Sequence, residues 1–134
     1  GDFCALGESL MFASELLQND EAAILGRAVD AATQNILTHD KSPRRGVGET
    51  DTRDSHFYFA FYWAQAVAAQ TDDAEMAATF AAIAAEIESH ESQIVDELAS
   101  TQGQPCDLGG YYRPNADLVA KIMRPSATFN RIIG

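Results

Sequence analysis

Apolar residues recur every three or four positions along most of the chain, which is the spacing of one face of an α-helix. The pattern predicts a first helix over residues 3–18 and a second over residues 21–38. A polar Gln-Asn-Asp turn separates them, and its last residue, Asp20, is predicted to cap the second helix through its carboxylate. The chain is therefore expected to begin with two helices joined by a tight turn.

The pattern of residues 54–71 is ambiguous between a strand and a helix. Their first half, HFYFAFYW, is rich in aromatic residues and taken alone could be a strand, whereas the second half, AQAVAAQ, consists of strong helix formers. Asp54 or Ser55 offers an N-cap, so we predict a helix. Because it is apolar nearly all round, it should be the buried central helix.

A further helical stretch is predicted after the Thr-Asp-Asp turn at residues 71–73, either as one helix or as two that break near Ser89-His90. Its apolar stripe comprises Met76, Phe80, Ile83, Ile87, Ile94 and Leu98. Gly103 and Pro105 should stop it and open a turn-rich loop.

Asn115 is predicted to cap a short helix to Met123, and one or two more helical turns fit residues 124–133. The sequence thus predicts an all-α fold, a bundle of about five helices with irregular loops. We expect residues 1–134 to form a single helical domain.

A net charge of −11 and a pI near 4.4 argue against non-specific binding to nucleic acid or to an anionic membrane. We find neither a secretory signal nor a segment long enough to span a bilayer. Cys4 and Cys106 are single and far apart. We therefore expect reduced thiols in a cytoplasmic protein.

The histidines and acidic residues of the chain match no catalytic or metal-binding pattern. No Glu-x-x-His pair of the kind that holds metals in helical bundles occurs. The neighbouring Asp, Ser and His at residues 54–56 do not make a catalytic triad, and no nucleophile-elbow motif is present. We predict no catalytic residue and no metal ligand in this chain.

The segment KSPRRGVGETDTRDSH, residues 41–56, holds four of the nine basic residues of this acidic chain. They are Lys41, Arg44, Arg45 and Arg53. Arginines beside the start of a helix suit a phosphate, because guanidinium matches phosphate oxygens in pairs and the helix N-terminus attracts anions. The alternative is that nearby carboxylates, those of Glu49, Asp51 and Asp54, neutralise the arginines in surface ion pairs of small energy.

Two long stretches of unusual residues resemble a known family. They are KSPRRGVGETDTRDSHFYFAFYWAQAVAAQ at residues 41–70 and QGQPCDLGGYYRPNADLVAKIMRPSATFN at residues 102–130. Both are similar to signatures of the monomeric-type NADP-dependent isocitrate dehydrogenases. The resemblance covers essentially the whole chain, and it implies the C-terminal portion of a much longer enzyme.

The resemblance implies several properties. The family oxidises and decarboxylates isocitrate to 2-oxoglutarate and reduces NADP, with a Mg or Mn ion that this portion does not bind. The C-terminal portion belongs to the domain that contributes to NADP binding. By position, Arg45 is favoured as the residue that reaches the 2′-phosphate of NADP, with Arg53 second. The chain departs from the family pattern at Thr50, Thr52 and Asp54, and Asp54 adds a negative charge beside the anion site.

Three interpretations follow. The chain is a segment of an NADP-dependent isocitrate dehydrogenase, inactive alone, whose partners are NADP and the remainder of the enzyme. Alternatively, it is a stand-alone helical module that binds a nucleotide or a protein without catalysis, or a structural remnant. If the central aromatic helix is normally covered by the rest of the enzyme, the isolated chain should expose apolar surface and self-associate.

Overall fold

Seven helices and no strands make up the computed structural model, which describes all of residues 1–134. The helices are α1 Asp2–Leu17, α2 Asp20–Thr38, α3 Thr52–Ala69, α4 Ala74–Ser89, α5 Glu91–Ala99, α6 Ala116–Met123 and α7 Ala127–Ile133. The predicted all-α class is confirmed. The count exceeds five because the stretch after residue 73 breaks in two at His90, and because the last predicted turns form a complete short helix.

The predicted capping residues of α2 and α3 were wrong. Asn19, not Asp20, caps α2 by accepting a hydrogen bond from the backbone N–H of Ala22 at 3.0 Å. Asp51, rather than Asp54 or Ser55, caps α3. In both cases the cap lies earlier than predicted, because its side-chain oxygen satisfies an N–H group of the first helical turn.

The predicted cap of α6 is confirmed, since the side chain of Asn115 accepts hydrogen bonds from the N–H groups of Asp117 and Leu118 at 3.0 and 3.1 Å. Helix α5 ends at Ala99, ahead of the predicted stop at Gly103. Gly103 adopts a left-handed conformation with φ of +67° in the turns that follow.

Helix α3 forms the centre of the core, as its all-round apolar pattern predicted. Nine of its residues are buried, and it packs against α2 on one side and α4 on the other. Phe57, which is 1% exposed, meets the ring of Phe129 from α7 edge-on, with 5.2 Å between ring centroids. Trp63 donates a hydrogen bond to the backbone oxygen of Leu25 at 3.1 Å, which ties α3 to α2.

The carboxylate of Glu97 on α5 binds the start of helix α7. Glu97 accepts hydrogen bonds from the hydroxyl of Ser126 at 2.7 Å, and from both the hydroxyl and the backbone N–H of Thr128 at 2.8 and 3.1 Å. The Ser126 hydroxyl is the largest influence on the pKa of Glu97, which these donors together lower to about 2. The start of α7 is therefore anchored electrostatically as well as by packing.

None of the exposed large apolar side chains lies on α3. Several lie on α1, and the two most exposed, Tyr111 and Tyr112 at 90 and 92%, lie in the loop after α5. Phe12, Leu16 and Leu17 are 66 to 69% exposed, and Leu37 at the end of α2 is 70% exposed. The expectation that an uncovered α3 would supply this surface is wrong, because the other helices already cover α3. None of the seven helices combines the length and the apolar character needed to cross a membrane.

The core assignment predicts a contrast between two phenylalanines. Replacing Phe57 by alanine should lower the free energy of unfolding by about 3–5 kcal/mol, because it leaves a cavity between α3 and α7. Phe12→Ala, at a position that is 66% exposed, is the matched control and should change it by less than about 0.5 kcal/mol. Urea unfolding of the two variants measures both values. Equal losses would contradict the placement of the core.

Candidate functional site

Residues 39–51 connect α2 to α3 as a loop that folds back on itself, here called the basic loop. Its two arms are joined by a hydrogen bond from the N–H of Arg44 to the oxygen of Thr50 at 2.7 Å. At the tip, the N–H of Glu49 donates to the oxygen of Gly46 at 3.2 Å. Arg45 therefore sits between a closed base and a closed tip.

Glycines allow the tip to close tightly. The carboxylate of Glu49 accepts a hydrogen bond from the N–H of Gly46 at 2.8 Å, and a side chain at Gly46 would collide with that carboxylate. Gly48 has a φ of +83°, a left-handed conformation that costs glycine little. These two glycines thus shape the loop itself.

Three of the four basic residues in this region have partners within the chain, and two of these, Lys41 and Arg44, lie in the loop itself. The ammonium group of Lys41 lies 4.1 Å from the centre of the Tyr58 ring, in a cation–π contact. Arg44 pairs with Asp40 at 2.6 Å, and both side chains are more than half exposed. An exposed pair of this kind contributes at most about 1 kcal/mol, so Arg44 can exchange Asp40 for another anion at small cost.

Arg53 is built into the interior. It is the second residue of α3, its side chain is 11% exposed, and it pairs with Asp51 through Nε at 3.0 Å and Nη2 at 2.5 Å. Its Nη1 donates to the backbone oxygen of Ile122 at 2.7 Å and to the hydroxyl of Thr101. Most of its donors are thus used to join α3 to the C-terminal segment. The contact between Arg53 and a cofactor stays a prediction.

The carboxylate of Asp51 is the meeting point of these contacts. Besides Arg53, it accepts hydrogen bonds from the side chain of Gln102 at 3.1 Å and from the N–H groups of Arg53 and Asp54 at 2.7 and 3.2 Å. Partial burial alone would raise the pKa of Asp51, but the bonds from Arg53, Gln102 and the backbone outweigh it and lower the pKa to about 2.

The N-terminus of α3 is closed to a ligand by its own capping box. Asp51 takes the N–H groups of Arg53 and Asp54, while the Asp54 carboxylate accepts the N–H of Asp51 at 2.9 Å. The prediction that this helix end attracts a phosphate is therefore wrong. Asp54 is only 4% exposed, and desolvation raises the pKa of its carboxyl group.

Arg45 differs from its neighbours. Its side chain is exposed, and it makes no ion pair and no hydrogen bond within the chain. Of the two predicted cofactor residues, only Arg45 presents an uncommitted guanidinium. The predicted ion pairing of the loop arginines with local carboxylates holds for Arg53 and Asp51, while Glu49 binds backbone instead.

The two stretches that carry the family resemblance meet in space. A cavity of about 270 Å³ is lined by Arg53, His56 and Phe57 from the first stretch, and by residues including Arg124 and Phe129 from the second. Their contact gives Arg53 its partner at Ile122. No group of three His, Cys, Asp or Glu side chains is arranged to hold a metal ion.

Sequence reasoning missed Gln102 as a part of this region. Gln102 reaches the basic loop from a position about fifty residues away in the sequence, which periodicity cannot show. Its only sequence signal was its place at the start of the second resembling stretch. Arg44 was part of the cluster but was ranked below Arg45 and Arg53.

A comparison with known protein families agrees with the meeting in space of the two stretches that carry the resemblance. The family model of monomeric isocitrate dehydrogenase matches residues 1–134. This chain belongs to the monomeric isocitrate dehydrogenase family.

Individual relatives support this membership. The chain is 52% identical to an NADP isocitrate dehydrogenase of Azotobacter vinelandii over 97% of its own length, and 48% identical to one of Mycobacterium tuberculosis over the same share. Its identity to an NADP isocitrate dehydrogenase of Colwellia maris is 49% over 99% of its length. The chain spans only 17 to 18% of the length of these relatives.

For this member of the monomeric isocitrate dehydrogenase family, the role of Asp51 can be tested by Asp51→Asn. Asparagine also caps helices, so the variant removes mainly the charge that faces Arg53. We expect it to lower the free energy of unfolding at pH 7 by about 2 kcal/mol, the scale of a charge-assisted hydrogen bond.

The loss should depend on pH with a defined sign. The folded-state pKa of Asp51 is about 2, below its ordinary 3.8, so its stabilisation is complete above pH 4 and disappears as the pH falls toward 2. The difference between wild type and Asp51→Asn in urea unfolding should shrink over that interval. A difference that stays constant between pH 7 and pH 2 would show that the charge of Asp51 is not responsible.

Proposed function

We propose that this chain forms part of an NADP-dependent isocitrate dehydrogenase, in which it contributes a contact to the 2′-phosphate of NADP and packing for the cofactor domain. The whole enzyme converts isocitrate and NADP to 2-oxoglutarate, carbon dioxide and NADPH. The relatives that carry this name are 45 to 52% identical to the chain. The substrate site, the catalytic groups and the Mg or Mn ion belong to other parts of the enzyme.

The observation that carries the proposal is the uncommitted guanidinium of Arg45 on a loop whose backbone is closed on both sides. Its neighbours Arg44 and Arg53 each have an acidic partner in the chain. A fixed backbone that presents one unpaired cation is suited to a phosphate, because little order has to be gained on binding.

The surroundings of Arg45 fit a phosphate despite the acidity of the chain. Glu49 already accepts the N–H of Gly46, and Asp51 is balanced by Arg53. Asp40 is the remaining carboxylate at the loop, and Arg44 holds it at 2.6 Å. If Arg44 turns to the ligand, it supplies a second guanidinium.

NADP differs from NAD only by the 2′-phosphate, so a contact to that group sets the preference between them. A hydrogen bond to a charged group contributes roughly 1.5–3 kcal/mol. At about 1.4 kcal/mol per tenfold change, Arg45 alone should account for a preference of roughly one to two powers of ten.

The test is to replace Arg45 by alanine and by glutamate in the full-length enzyme and to measure kcat/KM with NADP and with NAD. We expect Arg45→Ala to reduce kcat/KM for NADP about 10- to 100-fold with little change for NAD. Arg45→Glu should reduce it further, because the carboxylate repels the phosphate.

Arg27→Ala is the matched control, since Arg27, like Arg45, is an exposed arginine. Arg27 lies outside the basic loop and, unlike Arg45, has a surface partner, Asp72. It should leave the ratio of NADP to NAD activity unchanged. An unchanged ratio in Arg45→Ala would remove Arg45 from the proposed role.

We further propose that the rest of the enzyme covers the apolar surface of α1. On this surface the side chains of Phe12, Leu16 and Leu17 are exposed to solvent. The isolated chain should then self-associate at high concentration through this face. Sedimentation of wild type and of Leu16→Ser measures the effect. A wild-type chain that remains monomeric at high concentration would contradict it.

The cytoplasm is the compartment that we propose for the enzyme. Cys4 and Cys106 are both free and exposed, a state that the reducing cytoplasm maintains.

A further inference from the structure

Gln102 connects the turn after α5 to the basic loop through its side-chain amide. Its Oε1 accepts a hydrogen bond from the N–H of Gly48 at 2.8 Å. Its Nε2 donates to the backbone oxygen of Glu49 at 3.0 Å and to the carboxylate of Asp51 at 3.1 Å. Both N–H groups of the amide and its oxygen are therefore engaged with three residues of the loop.

The three contacts select glutamine specifically. The amide must accept at one atom and donate twice at the other. A glutamate would place a second carboxylate against Asp51 and against the backbone oxygen of Glu49. An asparagine is shorter by one methylene group and cannot reach all three partners from the same backbone position.

A second contact joins the same two segments beside Gln102. The side chain of Val47 lies over Gly103, where an added Cβ would be only 3.1 Å from a methyl group of Val47. Because Gly103 also has a φ of +67°, this position favours glycine for both space and conformation. The loop tip therefore rests on the 102–103 turn through polar and apolar contacts.

These contacts lead step by step to Arg45. Gln102 fixes the backbone of Glu49, and the Glu49 carboxylate fixes the N–H of Gly46 at 2.8 Å. Gly46 is the residue that directly follows Arg45 in the chain. The position from which the Arg45 side chain leaves the loop is thus linked to Gln102, a residue far from Arg45 in the sequence.

We propose that Gln102 is a positioning residue for NADP discrimination, which holds the basic loop in the conformation that presents Arg45 to the 2′-phosphate. This inference rests on the proposed function of Arg45. Gln102 itself does not touch the cofactor in this proposal, and its effect passes through the loop backbone.

The test uses the full-length enzyme with Gln102→Ala, alone and combined with Arg45→Ala. We expect Gln102→Ala to raise KM for NADP about 3- to 10-fold, the scale of a lost neutral hydrogen bond, with kcat and KM for NAD nearly unchanged. In the Arg45→Ala background the same change should have no further effect on NADP, because the group that it positions is absent. A merely structural role would weaken NADP and NAD activity alike in both backgrounds.

Gln104→Ala is the matched control, because Gln104 is an exposed glutamine two residues away with no hydrogen bond in the chain. It should leave all kinetic constants unchanged.

Gln102→Met, which keeps the length of the side chain but loses its polar atoms, replaces the alanine variant if that variant fails to fold. Amide hydrogen exchange provides the structural readout, and exchange at Gly48 should become faster in either Gln102 variant but not in Gln104→Ala.

Two outcomes separate the inference from the proposed function. If Arg45→Ala lowers the NADP preference while Gln102→Ala leaves it unchanged, the positioning role is wrong and the role of Arg45 stands. If Arg45→Ala itself leaves the preference unchanged, the proposed function fails and the inference fails with it. Additive effects in the double variant would also overturn the inference, since they would mean that Gln102 acts independently of Arg45.

Discussion

The carboxylate of Asp51 links the start of α3 to two segments that are far away in sequence, the turn after α5 and, through Arg53, the C-terminal segment. It caps α3, pairs with the nearly buried guanidinium of Arg53, and accepts a hydrogen bond from Gln102. Through Arg53 it also reaches the backbone oxygen of Ile122. A partly buried carboxylate stays ionised only where donors compensate its desolvation, and here they lower its pKa to about 2. The end of the basic loop, the start of the central helix and the C-terminal segment are therefore fixed together.

In this arrangement the positive charges near the loop have different roles. Arg53 is structural, Lys41 lies over the ring of Tyr58, and Arg44 holds Asp40 weakly at the surface. Of these four residues only Arg45 has no partner, in a chain whose net charge is −11. An acidic protein repels anions at long range, so a phosphate contact requires a local cation whose neighbours are already neutralised. The ligand that we propose for this cation is the 2′-phosphate of NADP.

The helices could be predicted from the sequence because burial of one face imposes a period of 3.6 residues, and α3 was recognisable by its continuous apolar run. The caps of α2 and α3 were misplaced by one to four residues, because several adjacent polar side chains could serve and only the folded backbone selects among them. The resemblance drew attention to Arg45, whereas the internal role of Arg53 depends on partners 48 and 69 residues away. Such tertiary contacts leave no periodic signal in the sequence.

The central claim is that the Arg53 guanidinium stays bound to Asp51 while the Arg45 guanidinium remains free. Nuclear magnetic resonance of the arginine Nε–H groups in this chain tests this most directly. On titration with adenosine 2′-phosphate, the signal of Arg45 should shift and that of Arg53 should stay fixed and exchange slowly with water. Adenosine 5′-phosphate should have a weaker effect on Arg45. A shift at Arg53 with none at Arg45, or fast exchange of the Arg53 Nε–H in the free protein, would contradict the account.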